Sequence, residues 1–176
     1  MAKYKYRYLK FYYWLRKIFF SNLFQNAKFF DDSFKRKITF YYIFKSLHWR
    51  DYNKIKSDES VSGLGSDIKV TEKLVLELSN FIKNNQIKSL LDVACGDFVW
   101  MKNLVNKNQD LQYHGLEIVK DIVDNNNKKY SNSRVKFDCV DVINFKFQNN
   151  YDLILIRDFF IHIKNIIVIN REKYIF

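Results

Sequence analysis

The chain has 176 residues, room for one domain and an appendage, and a hydrophobic content of 48% argues against wholesale disorder. Its net charge is +11, but twelve Lys and Arg against two acids, Asp31 and Asp32, fall in the first 50 residues, so the rest is nearly neutral and carries no polyanion-binding signature. Two cysteines without a C-x-x-C pair, no apolar run of about 20 residues and no small-residue cleavage site argue against a disulfide scaffold, a membrane span and a cleavable leader, leaving a reduced, cytoplasmic setting as the default.

Residues 3–20 carry an apolar stripe of Tyr4, Tyr8, Phe11, Leu15, Ile18 and Phe19, with Lys3, Lys10 and Lys17 on another face, which is helical spacing. Such a helix either docks on the body through its stripe, the reading the sequence favours, or lies at an anionic membrane surface. A second helix is predicted over residues 33–47, with Phe34, Ile38, Tyr41, Tyr42 and Phe44 on its apolar side. Eighteen aromatics interleave with Lys and Arg in the first 50 residues, a pattern also compatible with stacking on single-stranded nucleic acid. Aromatics at helical spacing are more often core, so nucleic acid is the weaker partner.

A polar loop over residues 57–67 separates this appendage (1–56) from the body (57–176) and holds two of the four glycines. Ser62, Gly63, Gly65 and Ser66 either link the two parts or cradle an anionic group with backbone N–H and hydroxyl donors. A helix is predicted over residues 70–84, with Leu74, Leu78, Phe81 and Ile82 inward and Ser66 or Asp67 as N-cap.

The body then alternates. Leu90 to Ala94 is a short apolar run carrying one acid, Asp92; it turns at Cys95-Gly96-Asp97 and continues through Phe98, Trp100, Met101, Leu104 and Val105 at helical spacing. Strand, glycine turn and helix begin a βαβ nucleotide-binding unit, and Gly96 offers positive φ where a ligand approaches. Cys95, beside a helix start, is open to a lowered thiol pKa, although no His lies near it in sequence. A second strand, 112–118, ends in Glu117, a carboxylate placed to accept both hydroxyls of a ribose. A helix over 118–129 follows, then a third strand, 134–141, with Asp141 at its exit, and a fourth, 151–156, leading to Arg157, Asp158 and His162. His48, His114 and His162 show no metal-ligand spacing, and the missing G-x-G-x-x-G disfavours a nicotinamide-dependent oxidoreductase.

Asp92 before a Gly-x-Gly-x-Gly-like turn resembles motif I of the class I S-adenosylmethionine-dependent methyltransferases. The three glycine positions fall on Ala94, Gly96 and Phe98, so only the middle one is kept, and Phe98 is expected to pack the helix on the sheet. Glu59 to Ser66, followed by Thr71, resembles a loop that precedes a Cys-Gly-Asp-Phe turn in one bacterial group of these enzymes, which implies a pocket role for Ser62, Gly63, Gly65, Ser66 and Thr71. The resemblance implies S-adenosylmethionine as cofactor, held by Asp92, Ala94, Gly96, Glu117 with Ile118, and Asp141 with Val142, where Asp141 accepts from the adenine amine. It places Asp158 and His162 on the acceptor side, with His162 as a general base. The implied fold is α/β, a Rossmann-like parallel sheet of four or five strands with a helical N-terminal appendage; residues 166–169 would form the fifth strand, and the remaining strands of the seven-stranded family fold have no sequence here. The implied activity is methyl transfer to a small-molecule or glycan-type acceptor. The alternatives are an inactive cofactor-binding remnant and a nucleic-acid or membrane-surface module led by residues 1–50.

Overall fold

A computed structural model describes residues 2–50, 60–147 and 150–160, with side chains from Tyr8 onward. The chain forms two compact units that divide between Val70 and Thr71.

The N-terminal unit is built from α1 (Ala2–Phe19), α2 (Asn22–Asn26) and α3 (Asp32–Lys45). Aromatic residues join α1 to α3: Phe19 stacks on Tyr42 with ring centroids 4.7 Å apart, and Tyr12 packs against Tyr41 and Tyr42. The short α2, which the sequence pattern does not announce, is capped by the Ser21 hydroxyl. Its Gln25 amide donates to the Phe19 carbonyl (2.6 Å) and to Thr39 Oγ1 (3.0 Å), so α2 satisfies an end group of α1 and ties it to α3. Asp31 caps α3 by accepting from the Phe34 amide at 2.7 Å. In the loop that follows, Gly63 adopts φ +113 beside Trp49, Leu64–Ser66 form a 3-10 turn, and Arg50 pairs with Asp67.

The second unit is an α/β sheet. After α4 (Ile68–Asn84) come β1 (Ser89–Val93), α5 (Met101–Lys107), β2 (Gln112–Glu117), α6 (Lys120–Tyr130), β3 (Val135–Cys139) and β4 (Leu153–Ile156). All pairings are parallel and the order is β3-β2-β1-β4, the arrangement of a Rossmann-like sheet. The register sets Leu90 beside Tyr113 and Leu153, and Asp92 beside Gly115 and Leu155. At the amino end, Asp152 accepts from the amides of Lys88 and Ser89 and from the Ser89 hydroxyl, which fixes the start of β4 against β1. These bonds hold the Asp152 carboxyl below its ordinary pKa.

Side chains alternate across the strands and divide the core into two faces. Leu90, Tyr113, Val135, Phe137 and Leu153 pack with Val75 and Ile82 of α4, Met101, Leu104 and Val105 of α5 and Val123 of α6. The other face buries Leu91, Val93 and Leu116 under Val142, Phe145 and Tyr151. On that face His114 bonds through Nδ1 to the Tyr151 hydroxyl (2.6 Å) and through Nε2 to Asp138 (2.8 Å), and burial lowers its pKa.

Three expectations change. The helix after β1 starts at Met101, not near Phe98, because residues 97–100 form the turn. Cys139, in the predicted third strand and read as a core or turn position, is exposed at the end of the edge strand β3. Cys95 is buried away from any helix start, and desolvation beside Asp92 and Glu117 pushes its thiol pKa up rather than down. The suggested fifth strand lies outside the described residues.

Gly115 is needed for its lack of a side chain. A Cβ there would meet Cys95 Sγ and Phe137 Cδ1 at 2.8 Å and the Tyr113 hydroxyl at 3.0 Å. Gly115→Ala is therefore expected to destabilise the sheet unit by about 1–3 kcal/mol in denaturant unfolding, the usual cost of overpacking.

Candidate functional site

Successive strands of this sheet are added to one side of β1 until β4 crosses to the other. The carboxyl ends of β1 and β4 therefore border a topological switch point, where open α/β sheets bind ligands. The chain leaving β1 there runs through Ala94 (φ 61), Gly96 (φ 60) and Phe98 (φ 62). These are the three positions where the family pattern expects glycine. A left-handed residue with a Cβ costs roughly 1–2 kcal/mol, so the turn keeps its shape against the preference of two of its three side chains.

Packing and hydrogen bonds supply the compensation. Phe98 is buried against Tyr113, Tyr130 and Phe137, with ring centroids 4.9–5.3 Å away. This is the packing role expected for it. The Cys95 amide donates to the Leu116 carbonyl at 3.0 Å. The Gly96 amide donates to Glu117 Oε2 (3.1 Å), and its carbonyl accepts from Asn126 of α6 (2.8 Å). Ala94 stays exposed between buried neighbours, so the turn presents its backbone to solvent there.

Glu117, the last residue of β2, is buried, and its Oε1 accepts from the amides of Ile118 (2.8 Å) and Val119 (3.0 Å). Desolvation raises its pKa, and these amides with that of Gly96 pull it back down. A carboxylate accepts about four hydrogen bonds, so three amides leave capacity at Oε2. Asp141 follows β3, is also buried, and caps the 3-10 turn Val142–Asn144 by accepting from the Ile143 amide at 3.3 Å. Asp92, Glu117 and Asp141 thus lie within two residues of the carboxyl ends of β1, β2 and β3, which are neighbours in the sheet.

Asp92 is 4% exposed and accepts from the Tyr113 hydroxyl at 2.8 Å, which reaches it across Gly115. Burial raises its pKa to about 7, while the Tyr113 bond and the charge of Arg157 act to lower it and Glu117 acts to raise it. Arg157, just after β4, lies over the Trp100 ring at 5.1 Å and pairs with Asp158 at 3.3 Å. Asp158 is exposed and left-handed (φ 57), which marks the end of β4 as a second strained point beside the switch crevice. His162, its expected partner, lies outside the described residues.

In the N-terminal unit, the amides of Ser66 and Asp67 donate to the carbonyls of Gly63 and Leu64, and the Ser62 amide donates to the Ser60 hydroxyl. Those donors are thus engaged within the loop formed by Ser62, Gly63, Gly65 and Ser66. Thr71 is buried in α4. Among the described residues, no group of three or more His, Cys, Asp or Glu side chains is arranged to hold a metal ion.

Sequence reasoning missed Tyr113, Gly115 and Asn126, and named Trp100 and Arg157 without a role in the site. A glycine inside a strand signals a close approach, and Gly115 two residues after Tyr113 shares its face, so this pair was in principle readable. Asn126 is not, because nothing local marks a helical amide that reaches a turn 30 residues away.

No family model matches the chain, and no curated protein matches it. Solved structures of methyltransferases do match. The plantazolicin methyltransferase BpumL with a monoazolic desmethylPZN analog and SAH aligns at 23% identity and a TM-score of 0.41, covering 50% of this chain and 37% of that one. The same enzyme with a pentazolic analog and SAH aligns at 20% identity and a TM-score of 0.41, over 89% of this chain and 49% of that one. The sugar N-methyltransferase KedS8 from Streptoalloteichus sp ATCC 53650 aligns at 22% identity and a TM-score of 0.41, over 53% and 36%. The chain thus spans less than half the length of each of these structures.

Two substitutions test the site's physics. Ala94→Gly removes left-handed strain and is expected to raise stability by about 0.5–1 kcal/mol, after allowing for the freer unfolded chain. For Asp92 the folded pKa of about 7 exceeds the ordinary 3.8, so the folded chain binds the extra proton between those values. Stability then falls as pH rises from about 4 to about 7, by at most ~4 kcal/mol from this group. Glu117 acts in the same direction. Asp92→Asn should flatten, without abolishing, the loss of melting temperature across that window.

Proposed function

We propose that the carboxyl edge of the sheet binds S-adenosylmethionine and directs its methyl group to an acceptor of the small-molecule or glycan type. The observation that carries this reading is the turn at residues 94–98. It holds a left-handed backbone at all three glycine positions of motif I although two of them bear side chains, and Glu117 of the next strand ties its central amide.

The donor set fits the cofactor. Glu117 keeps acceptor capacity at Oε2 for ribose hydroxyls, Ile118 stands half-buried beside it, and Asp141 with Val142 offers an acid and an apolar wall suited to adenine. Ala94 and Gly96 bring main chain to the crevice. When bound, the cofactor supplies a sulfonium methyl group as electrophile. The chain's own work is to hold that group and the acceptor in line and to exclude water, which is where most of the rate advantage of such a transfer arises. Asp158 at the end of β4 is assigned to the acceptor side, with His162 as its proposed proton acceptor.

Titration calorimetry with S-adenosylhomocysteine tests the reading directly. The intact chain is expected to bind, Gly96→Arg to abolish binding, and Glu117→Ala to weaken it by about 1–3 kcal/mol. No uptake by a folded, monodisperse chain overturns the proposal; an unchanged dissociation constant in Glu117→Ala removes Glu117 from the ribose role. Transfer of labelled methyl to sugar and small-molecule acceptors then addresses the acceptor class.

A further inference from the structure

We propose that the N-terminal unit is a membrane-surface module whose aromatic stripe on α1 lies on anionic lipid, an inference independent of the methyl-transfer reading. Within this unit α1 uses Tyr12 and Phe19 to pack on α3. A different arc is largely exposed: Phe11 and Trp14 are 55% and 57% exposed, Ile18 follows at 41%, and Tyr8, whose ring packs on Tyr12, keeps 53% exposure. At 3.6 residues per turn, Phe11, Trp14 and Ile18 fall within about a sixth of the helix circumference, with Tyr8 about as far again to one side. Lys10 and Lys17, both exposed, border the other side of that arc. Beyond the helix, Leu23 and Phe29 project further apolar surface at 87% and 92% exposure.

Charge decides the occupant. Residues 1–50 hold twelve Lys and Arg against two acids, so a complementary surface is both anionic and able to take up apolar side chains. Anionic lipid combines the two properties, with headgroups for the lysines and an acyl boundary for the aromatics. A second copy of this strongly cationic unit would meet like charge. Single-stranded nucleic acid offers base faces to Phe11 and Trp14, but nothing to the aliphatic Ile18 and Leu23. No helix among the described residues is long and apolar enough to cross a bilayer, so the contact proposed is with its surface.

The test is co-sedimentation of the full chain with vesicles of phosphatidylglycerol and phosphatidylcholine, against vesicles of phosphatidylcholine alone. Retention is expected on the anionic vesicles and should decline as salt rises. Phe11→Ser/Trp14→Ser/Ile18→Ser, which changes exposed positions only, should weaken partitioning by at least about tenfold with an unchanged circular dichroism spectrum. Lys10→Glu/Lys17→Glu should weaken retention on the anionic vesicles alone. Equal partitioning of the serine variant, or no preference for anionic over neutral vesicles, overturns the proposal. So does retention on an oligothymidylate without retention on vesicles, which makes the surface a nucleic-acid site. Self-association abolished by the serine variant, with no vesicle binding, makes it an interface between copies and equally overturns it.

Discussion

The peptide unit of Gly96 is held at both ends, its amide by Glu117 and its carbonyl by Asn126. Each partner comes from a different element, the end of β2 and the middle of α6, so one residue records the relative placement of a turn, a strand and a helix. The strained conformations on either side depend on that anchorage. Without it, Ala94 and Phe98 would relax out of the left-handed region, because the cost of holding a Cβ there is comparable to a hydrogen bond. The aromatic cluster around Phe98 adds packing to the same end, since that ring cannot leave the core without opening a cavity.

The edge that these contacts shape gathers negative groups in a poorly solvated place. Asp92 and Glu117 are both buried, and each ionised form disfavours the other. The structure moderates this with donors that cost little area: the Tyr113 hydroxyl, three backbone amides, and the guanidinium of Arg157 held over Trp100. Gly115 is the geometric condition for the first of these, because any side chain there would collide with the Tyr113 hydroxyl. Keeping these acids buried therefore costs stability at neutral pH.

A parallel sheet was readable because the first two apolar runs each carry an acid at or near their end and are followed by a helical pattern, while the family resemblance supplied the Rossmann-like arrangement. The turn was harder. Only one of three glycines remains in the sequence, yet the backbone keeps the left-handed path at all three positions, which only tertiary anchorage makes tolerable. Phe98 was placed correctly as packing, yet the helix start was set too early, since apolar spacing continues through a turn that is not helical. Glu117 was found by its position, but not the amides it serves, because the partners of a buried carboxylate are set by neighbouring strands. In the N-terminal segment Phe19 of the predicted stripe packs on α3 together with Tyr12, which the stripe did not include, while Tyr8, Phe11 and Ile18 are exposed.

The bonds between Asp152 and Ser89 span 63 residues, whereas β1 meets β2, and β2 meets β3, through short helical crossovers. Closing the longer loop carries the larger entropic cost, so β1, β2 and β3 have reason to assemble first and β4 to arrive last. In that interval β1 presents a bare strand edge where the crevice will later stand. The seam between β1 and β4 is thus the last of the sheet to be sewn, and its completion doubles as a report that the unit has finished folding.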